Sequence, residues 1–301
     1  MSRAWIQQPE RGSRAALRLI GWIALHMGRR VARVLLFPIV LYFLLTGRKA
    51  RLASRAYLRR ALGREPGLSD TARHLHCFAA TILDRVYLLA DQTDRFDVRV
   101  NGGEVILDRL RDGRGCILLG AHLGSFEVLR AMAVAHQHFT LRVLMYREHN
   151  RVLTELLDMI NPQIADTVIP LGGPDALLRA QATLAGGGVV GMLGDRVAGS
   201  DKTTCATLLG SQAVFPAGPA LVAAALGVPV VLCFGLYRGG NRYDLHFELL
   251  AERITIGRSR RDEELRMWTQ RYADRLEHYA RLAPYNWFNF YDYWNDFTPA
   301  T

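Results

Sequence analysis

One histidine of this chain is followed five positions later by a carboxylate: His122 and Glu127, within Gly120-Ala-His-Leu-Gly-Ser-Phe-Glu127. An imidazole held by a carboxylate at one ring nitrogen keeps the other as a base, able to take the proton of an attacking hydroxyl. Nine histidines and 28 acids in 301 residues give about 0.8 such pairs by chance. The spacing alone decides nothing; its setting does. Cys116–Ala121 reads as a buried strand, and Leu-Gly-Ser as a turn opening a helix. His122 is therefore expected at the carboxyl end of a strand and Glu127 in the first helical turn. On one helix the two would point about 140° apart, but across a strand–turn–helix corner they can meet. The bland alternative is a histidine capping the turn and a glutamate at a helix start. No nucleophile of the protein's own is needed if the attacking hydroxyl belongs to a substrate.

Other motifs exclude more than they assign. Gly186-Gly-Gly188-Val-Val-Gly191 matches the dinucleotide fingerprint, but a helix enters it and a strand leaves, the reverse of what phosphate binding needs. A helix C-cap and tight turn are expected there instead. Neither a G-x-S-x-G elbow nor a Walker loop occurs, which removes the ordinary hydrolase and P-loop readings. Cys77, Cys116, Cys205 and Cys233 are scattered without a C-x-x-C pair, so reduced thiols are expected and no metal site. The i,i+2 pairs His74/His76 and His136/His138 would diverge on a helix and are expected to be solvated.

The elements that must position His122 follow from the pattern. Half the chain is apolar and 22% is charged, with a mean hydropathy of +0.04. That is a globular composition, too polar for a polytopic transporter. Strand-like runs occur at Cys116–Ala121, Leu141–Tyr146, Thr167–Leu171, Val189–Leu193, Val230–Leu236 and Tyr243–Leu249. Helical patterns stand at Ser69–Asp91, Leu123–His136, Arg151–Ile160, Pro174–Leu184, Pro219–Leu226 and Ser259–Leu282. Apolar strands alternating with helices predict an α/β fold with a mostly parallel central sheet flanked by helices. Sites gather at the carboxyl ends of such strands. The aromatic tail Tyr285–Phe297 is expected to pack in the core.

The first 64 residues differ. They hold 14 basic residues against one acid, +13, leaving 24 basic and 27 acidic residues, −3, to the rest. Two apolar runs, 17–27 and 34–46, are each shorter than the roughly 20 residues a spanning helix needs. Joined, they would place Arg29, Arg30 and Arg33 at mid-depth, at about 2.5–3.5 kcal/mol each. A helical membrane anchor lying in the interface, or dipping in as a shallow hairpin, is the cheaper geometry, with arginines at 29–33 and 48–60 reaching the headgroups and Trp5, Trp22 and Tyr42 at interfacial depth; the alternative is a buried helical pair of a soluble core. Positive charge on both flanks favours cytoplasmic ends, and no small-x-small cleavage site follows the second run. Nucleic acid is excluded as a partner because the arginines alternate with apolar residues rather than a stacking face. The expected division is a membrane-association segment, 1–64, and a catalytic domain, 65–301.

The Gly120–Glu127 block resembles the His-x4-Asp/Glu block of the lysophospholipid acyltransferase superfamily, in particular its lipid A late acyltransferase branch. Tyr146-Arg147-x-x-Asn150 is similar to that branch's second block, Gly194-Asp195-Arg196 to its third, and Phe215-Pro-Ala-Gly-Pro219, running to Gly227-Val-Pro-Val-Val, to the segment that follows. The likeness covers about residues 15–295 and extends to predicted bacterial acyltransferases of aryl polyene lipid pathways. It implies a general-base role for His122, oriented by Glu127, and substrate-binding or accessory roles for Arg147, Asn150, Asp195 and Arg196. It also implies an acyl donor that is acyl carrier protein or acyl-CoA, a lipid acceptor at the inner membrane's cytoplasmic face, and no metal or redox cofactor. Ser125-Phe126 stands where asparagine–tryptophan is usual, Arg196 where glutamine is frequent, and the tail is acidic where lipid A enzymes are basic. An acceptor other than lipid A is therefore compatible. The rivals are a membrane-bound esterase or thioesterase using water, and a non-catalytic lipid-binding scaffold.

Overall fold

The computed structural model describes residues 26–113, 115–129, 140–145, 167–173, 175–198 and 201–294. Three helices open the described chain: α1 (Arg29–Thr46), α2 (Arg48–Leu62) and α3 (Leu68–Leu89). Then follow β1 (Asp97–Asn101), α4 (Glu104–Arg111), β2 (Cys116–Gly120), β3 (Leu141–Met145), β4 (Val168–Pro170), α5 (Ala176–Ala185) and β5 (Val189–Leu193). The chain closes with β6 (Thr203–Leu208), β7 (Ser211–Pro216), α6 (Gly218–Leu226), β8 (Val230–Gly239), β9 (Arg242–Ala251) and α7 (Arg261–Leu282). Seven strands form one sheet in the order β1-β9-β8-β2-β5-β3-β4, parallel throughout except for the β8–β9 hairpin.

Every residue of β2 is buried, as expected of a central parallel strand covered on both faces. Its side chains alternate between two cores. Ile117 and Leu119 join Tyr57, Leu58, Ala223, Trp268 and Tyr272 on one side, while Cys116 and Leu118 join Leu36, Leu83, Tyr87 and Ile106 on the other. All six strands read from the sequence are present. The short pieces β1, α4 and the β6–β7 hairpin, which forms its own two-stranded sheet, are additions. α3 starts one residue before Ser69, and its first turn is tied by Asp70, which accepts from Gly67 N–H at 2.8 Å. Gly186 ends α5, and Gly187 has a φ of +73°, the turn expected there in place of a cofactor loop.

No single described helix is long and apolar enough to cross a membrane; α1 and α2 pass by length and composition only as a pair, bent by 95° at Gly47. α1 buries Ala32, Leu36 and Val40, the first two in the core shared with α3. The opposite face exposes Val31, Val34, Phe37, Leu41 and Leu45. Two arginines expected at headgroups point inward instead. Arg29 grips the fully buried Asp84 of α3 through two hydrogen bonds of 2.8 and 2.9 Å, and Arg33 reaches Tyr237 Oη at 2.5 Å and the Gly240 carbonyl at 2.8 Å. Arg51 turns back onto the Leu45 carbonyl at 2.8 Å, covering the end of α1. Arg60 lies over the Trp294 ring at 4.4 Å. Burial of Asp84 dictates the first of these contacts, because an unpaired interior carboxylate is costly. Arg30, Arg48, Lys49, Arg55 and Arg59 remain exposed. Trp5, Trp22 and most of the 17–27 run lie outside the described residues.

Asp84 also accepts from Tyr243 Oη at 2.9 Å. Asp84→Ala leaves the inward-turned Arg29 without its counter-charge, held only by the Gly240 carbonyl at 2.6 Å, and the expected loss of stability is about 3 kcal/mol. Urea denaturation of the purified protein measures it.

Candidate active site

β2 and β5 are parallel neighbours, with Gly120 paired to Leu193 at their carboxyl ends. The ladder runs one step further, Gly194 N–H donating to the Gly120 carbonyl at 3.0 Å. Two residues beyond each paired end stand His122 and Asp195, so strand register alone brings them together. A side chain at Gly194 would come within 2.9 Å of Leu119 Cδ1 and 3.2 Å of the Tyr272 ring, which leaves glycine as the fitting residue.

The turn after His122 is held from two sides. Gly124 has a φ of +73°, and a Cβ there would collide with the Gly235 carbonyl of β8. Gly124 N–H donates to the Asn286 carbonyl at 2.8 Å, Ser125 N–H to Gly235 at 2.7 Å, and Phe288 N–H to the His122 carbonyl at 3.0 Å. The amides of Gly124 and Ser125 are thereby spent, as is that of His122, which donates to Asp195 Oδ2 at 3.1 Å.

His122 Nδ1 lies 2.8 Å from Asp195 Oδ1. The sequence reading has Glu127 orient the imidazole; the structure gives that position to Asp195. Glu127 is buried in the first helical turn, as expected, with Arg85 Nε of α3 3.7 Å from its Oε1. The carboxylate at Nδ1 is chosen by the neighbouring strand, not by the five-residue spacing. A carboxylate can only accept, which assigns the proton to Nδ1 and a lone pair to Nε2. No described residue hydrogen-bonds Nε2, and a third of the side-chain surface is exposed. Burial and the positive charge of Arg196 lower the His122 pKa, Asp195 opposing them and Arg85 adding to them. The ring is therefore neutral at pH 7. Burial by itself would raise the Asp195 pKa, but the His122 contact, Arg196 and the Trp287 hydrogen bond outweigh it and lower it.

Asp195 is fully buried and enclosed by the carboxyl-terminal tail. Trp287 Nε1 donates to Oδ2 at 2.9 Å, and Tyr293 Oη to the Asp195 carbonyl at 2.9 Å. Arg196, read as a substrate contact, gives one N–H to the Phe288 carbonyl at 2.7 Å and lies over Tyr291. The tail does pack in the core as expected, but Trp287 is also part of the site. So are Arg85 and Tyr293; all three escaped the sequence reading. The signal for the tail was its run of aromatic and amide side chains, Tyr285-Asn-Trp, unusual for simple packing. Arg147, Asn150, His136 and His138 lie outside the described residues.

His74 corrects an expectation. It is not solvated but wholly buried. Its Nε2 donates to the Trp287 carbonyl at 2.9 Å, and its Nδ1 accepts from Ser54 Oγ at 2.8 Å. Among the described residues no group of three or more His, Cys, Asp or Glu side chains is placed to hold a metal ion. Cys77, Cys116 and Cys233 are buried, with thiol pKa values pushed up by burial.

A histidine held at Nδ1 by a carboxylate at the carboxyl edge of a mostly parallel sheet can accept a proton at Nε2. Residues 74–296 match the family of bacterial lipid A biosynthesis acyltransferases, and the chain belongs to that family. It is an acyltransferase, transferring acyl groups onto a lipid. No curated protein matches the chain.

His74 sets a pH dependence of stability. Burial lowers its pKa from 6.5 to about 4, against the opposing Trp287 carbonyl. The folded state therefore binds fewer protons than the unfolded chain between those values. Stability is full above pH 6.5 and falls as pH drops through that window towards 4, by about 1.4 kcal/mol per pH unit. Urea midpoints across this range should show that slope, and His74→Gln should flatten it.

Proposed function

We propose that the protein transfers a fatty or related acyl group from acyl carrier protein or acyl-CoA to a hydroxyl of a lipid or glycolipid at the cytoplasmic face of the inner membrane. His122 is the general base. The observation that carries this is the Asp195–His122 pair, with Nδ1 occupied and Nε2 open to a substrate. Nε2 takes the proton of the acceptor hydroxyl as its oxygen attacks the thioester carbonyl. The C–S bond then breaks, and the thiolate leaves with the proton returned by the imidazolium. The charges of Arg196 and Arg85, which resist protonation of His122, favour the anionic oxygen of the tetrahedral intermediate. Glu127 holds Arg85 in place for this. Arg147 and Asn150 bind the phosphate-bearing part of a substrate. The departures at Ser125-Phe126, Arg196 and the tail favour an acceptor other than lipid A, as in the aryl polyene branch.

The esterase and scaffold readings yield to the family. Lipidomics of a deletion strain identifies the acceptor as a lipid lacking one acyl chain. His122→Ala should fail to restore that chain, with turnover lower by about 10²–10⁴-fold. In the wild type the acidic limb of kcat/KM should lie below the ordinary imidazole value of 6.5, because the His122 pKa is lowered. A folded His122→Ala protein with normal turnover overturns the mechanism.

Residues 1–64 are proposed as the membrane-association segment, docking through the α1 face of Val34, Phe37, Leu41 and Leu45 and the exposed Arg48, Lys49 and Arg55. Serine at the four apolar positions should abolish flotation with phospholipid vesicles. Glutamine at the three basic ones should weaken binding only to anionic vesicles, by about fivefold per residue. Unchanged flotation of both variants rejects this surface.

A further inference from the structure

We propose that Trp287 is a positioning residue for the transfer, its indole N–H holding the Asp195 carboxylate in the plane from which Asp195 aligns the His122 base. The proposal rests on the reading of His122 as base and adds the element that keeps this base aimed. Asp195 Oδ1 serves Nδ1 of His122 at 2.8 Å. Its Oδ2 is bonded by the His122 amide at 3.1 Å and the indole at 2.9 Å. Of these donors only the indole comes from outside the two paired strand ends, and on Oδ2 it makes the shorter bond, so it adds to the hold of His122 a restraint on rotation about the Cβ–Cγ bond.

Trp287 is itself held on every side. It is 1% exposed, with Tyr57 at 5.1 Å and Tyr293 at 4.9 Å, both edge-on. Its carbonyl is bonded by His74, and its backbone bridges to Leu123, the residue after the base. An indole suits the position because it donates without carrying charge. A cation there would compete with the imidazole for the carboxylate and weaken the base. The charged and titratable groups around the pair are Arg85 of α3, Arg196 after β5, Tyr272 of α7 and Tyr293 of the tail.

The test compares Trp287→Phe with a shape-preserving replacement of Trp287 by 3-benzothienylalanine, which fills the indole's space without its N–H. The primary readout is the ring titration of His122 in ¹⁵N-histidine-labelled full-length protein, assigned against His122→Ala. Freed to rotate, Asp195 loses part of its hold on Nδ1–H and on the imidazolium it stabilises, so the His122 titration should move to lower pH in both variants. Turnover of lauroyl-CoA with inner-membrane lipid extract should fall about 10- to 100-fold, the worth of one charge-assisted hydrogen bond. If Trp287→Phe does not fold, the benzothienyl protein decides alone. An unmoved His122 titration in a folded variant, whatever the turnover, assigns Trp287 to packing and overturns the proposal. Normal turnover by His122→Ala would instead defeat the base reading while leaving the titration result standing.

Discussion

A carboxylate with no exposed surface is tolerated in a protein only where donors surround it, and Asp195 imposes that requirement on most of this fold. It needs His122, which the register of β2 against β5 brings to it. It needs the Trp287 indole, which draws the tail back across the carboxyl edge of the sheet. The tail in turn closes the turn after His122 through Asn286 and Phe288. Base, turn and tail are thus one hydrogen-bonded unit centred on a buried anion. The low dielectric that makes an unsatisfied anion expensive also strengthens each bond that satisfies it.

The same constraint is met a second time by Asp84, on the other side of the sheet. Arg29 and Tyr243 satisfy it, and in doing so they clamp α1 to the body. The next residue along α3, Arg85, faces Glu127. One turn of α3 therefore joins the helix with the exposed apolar stripe to the helix that starts beside the base. An apolar segment that looked separable on composition is built into the structure by Arg29 and Arg33 on Asp84, Tyr237 and Gly240 and by the burial of Ala32 and Leu36.

Alternation of apolar runs and helical patterns was enough to read the parallel sheet and to place His122 at a strand end. Strand periodicity and glycine turns are local properties, and β2, β5 and β8 carry them within a few residues. β1 and the β6–β7 hairpin were not legible. β1 reads Asp97-Val-Arg-Val-Asn with little burial, and the hairpin's apolar positions face α7 rather than the main sheet, so neither shows the continuous apolar run of a core strand. In the glycine-rich Gly186–Gly191 stretch a helix enters and a strand leaves, as the order of elements in the sequence predicts.

By itself the sequence determined the fold class, the strand-end position of His122, its candidate neighbours and the concentration of positive charge before residue 65. These follow from side-chain period, turn chemistry and charge counts, each readable in a short window. Tertiary structure alone decided which carboxylate meets the imidazole, that His74 is interior, that Arg29 and Arg33 face inward, and that Trp287 belongs to the site. Each of those is a contact between residues 55 to 213 positions apart. Such contacts are set by strand order and register, and no local pattern in the chain encodes which of several acids a histidine at a strand end will find.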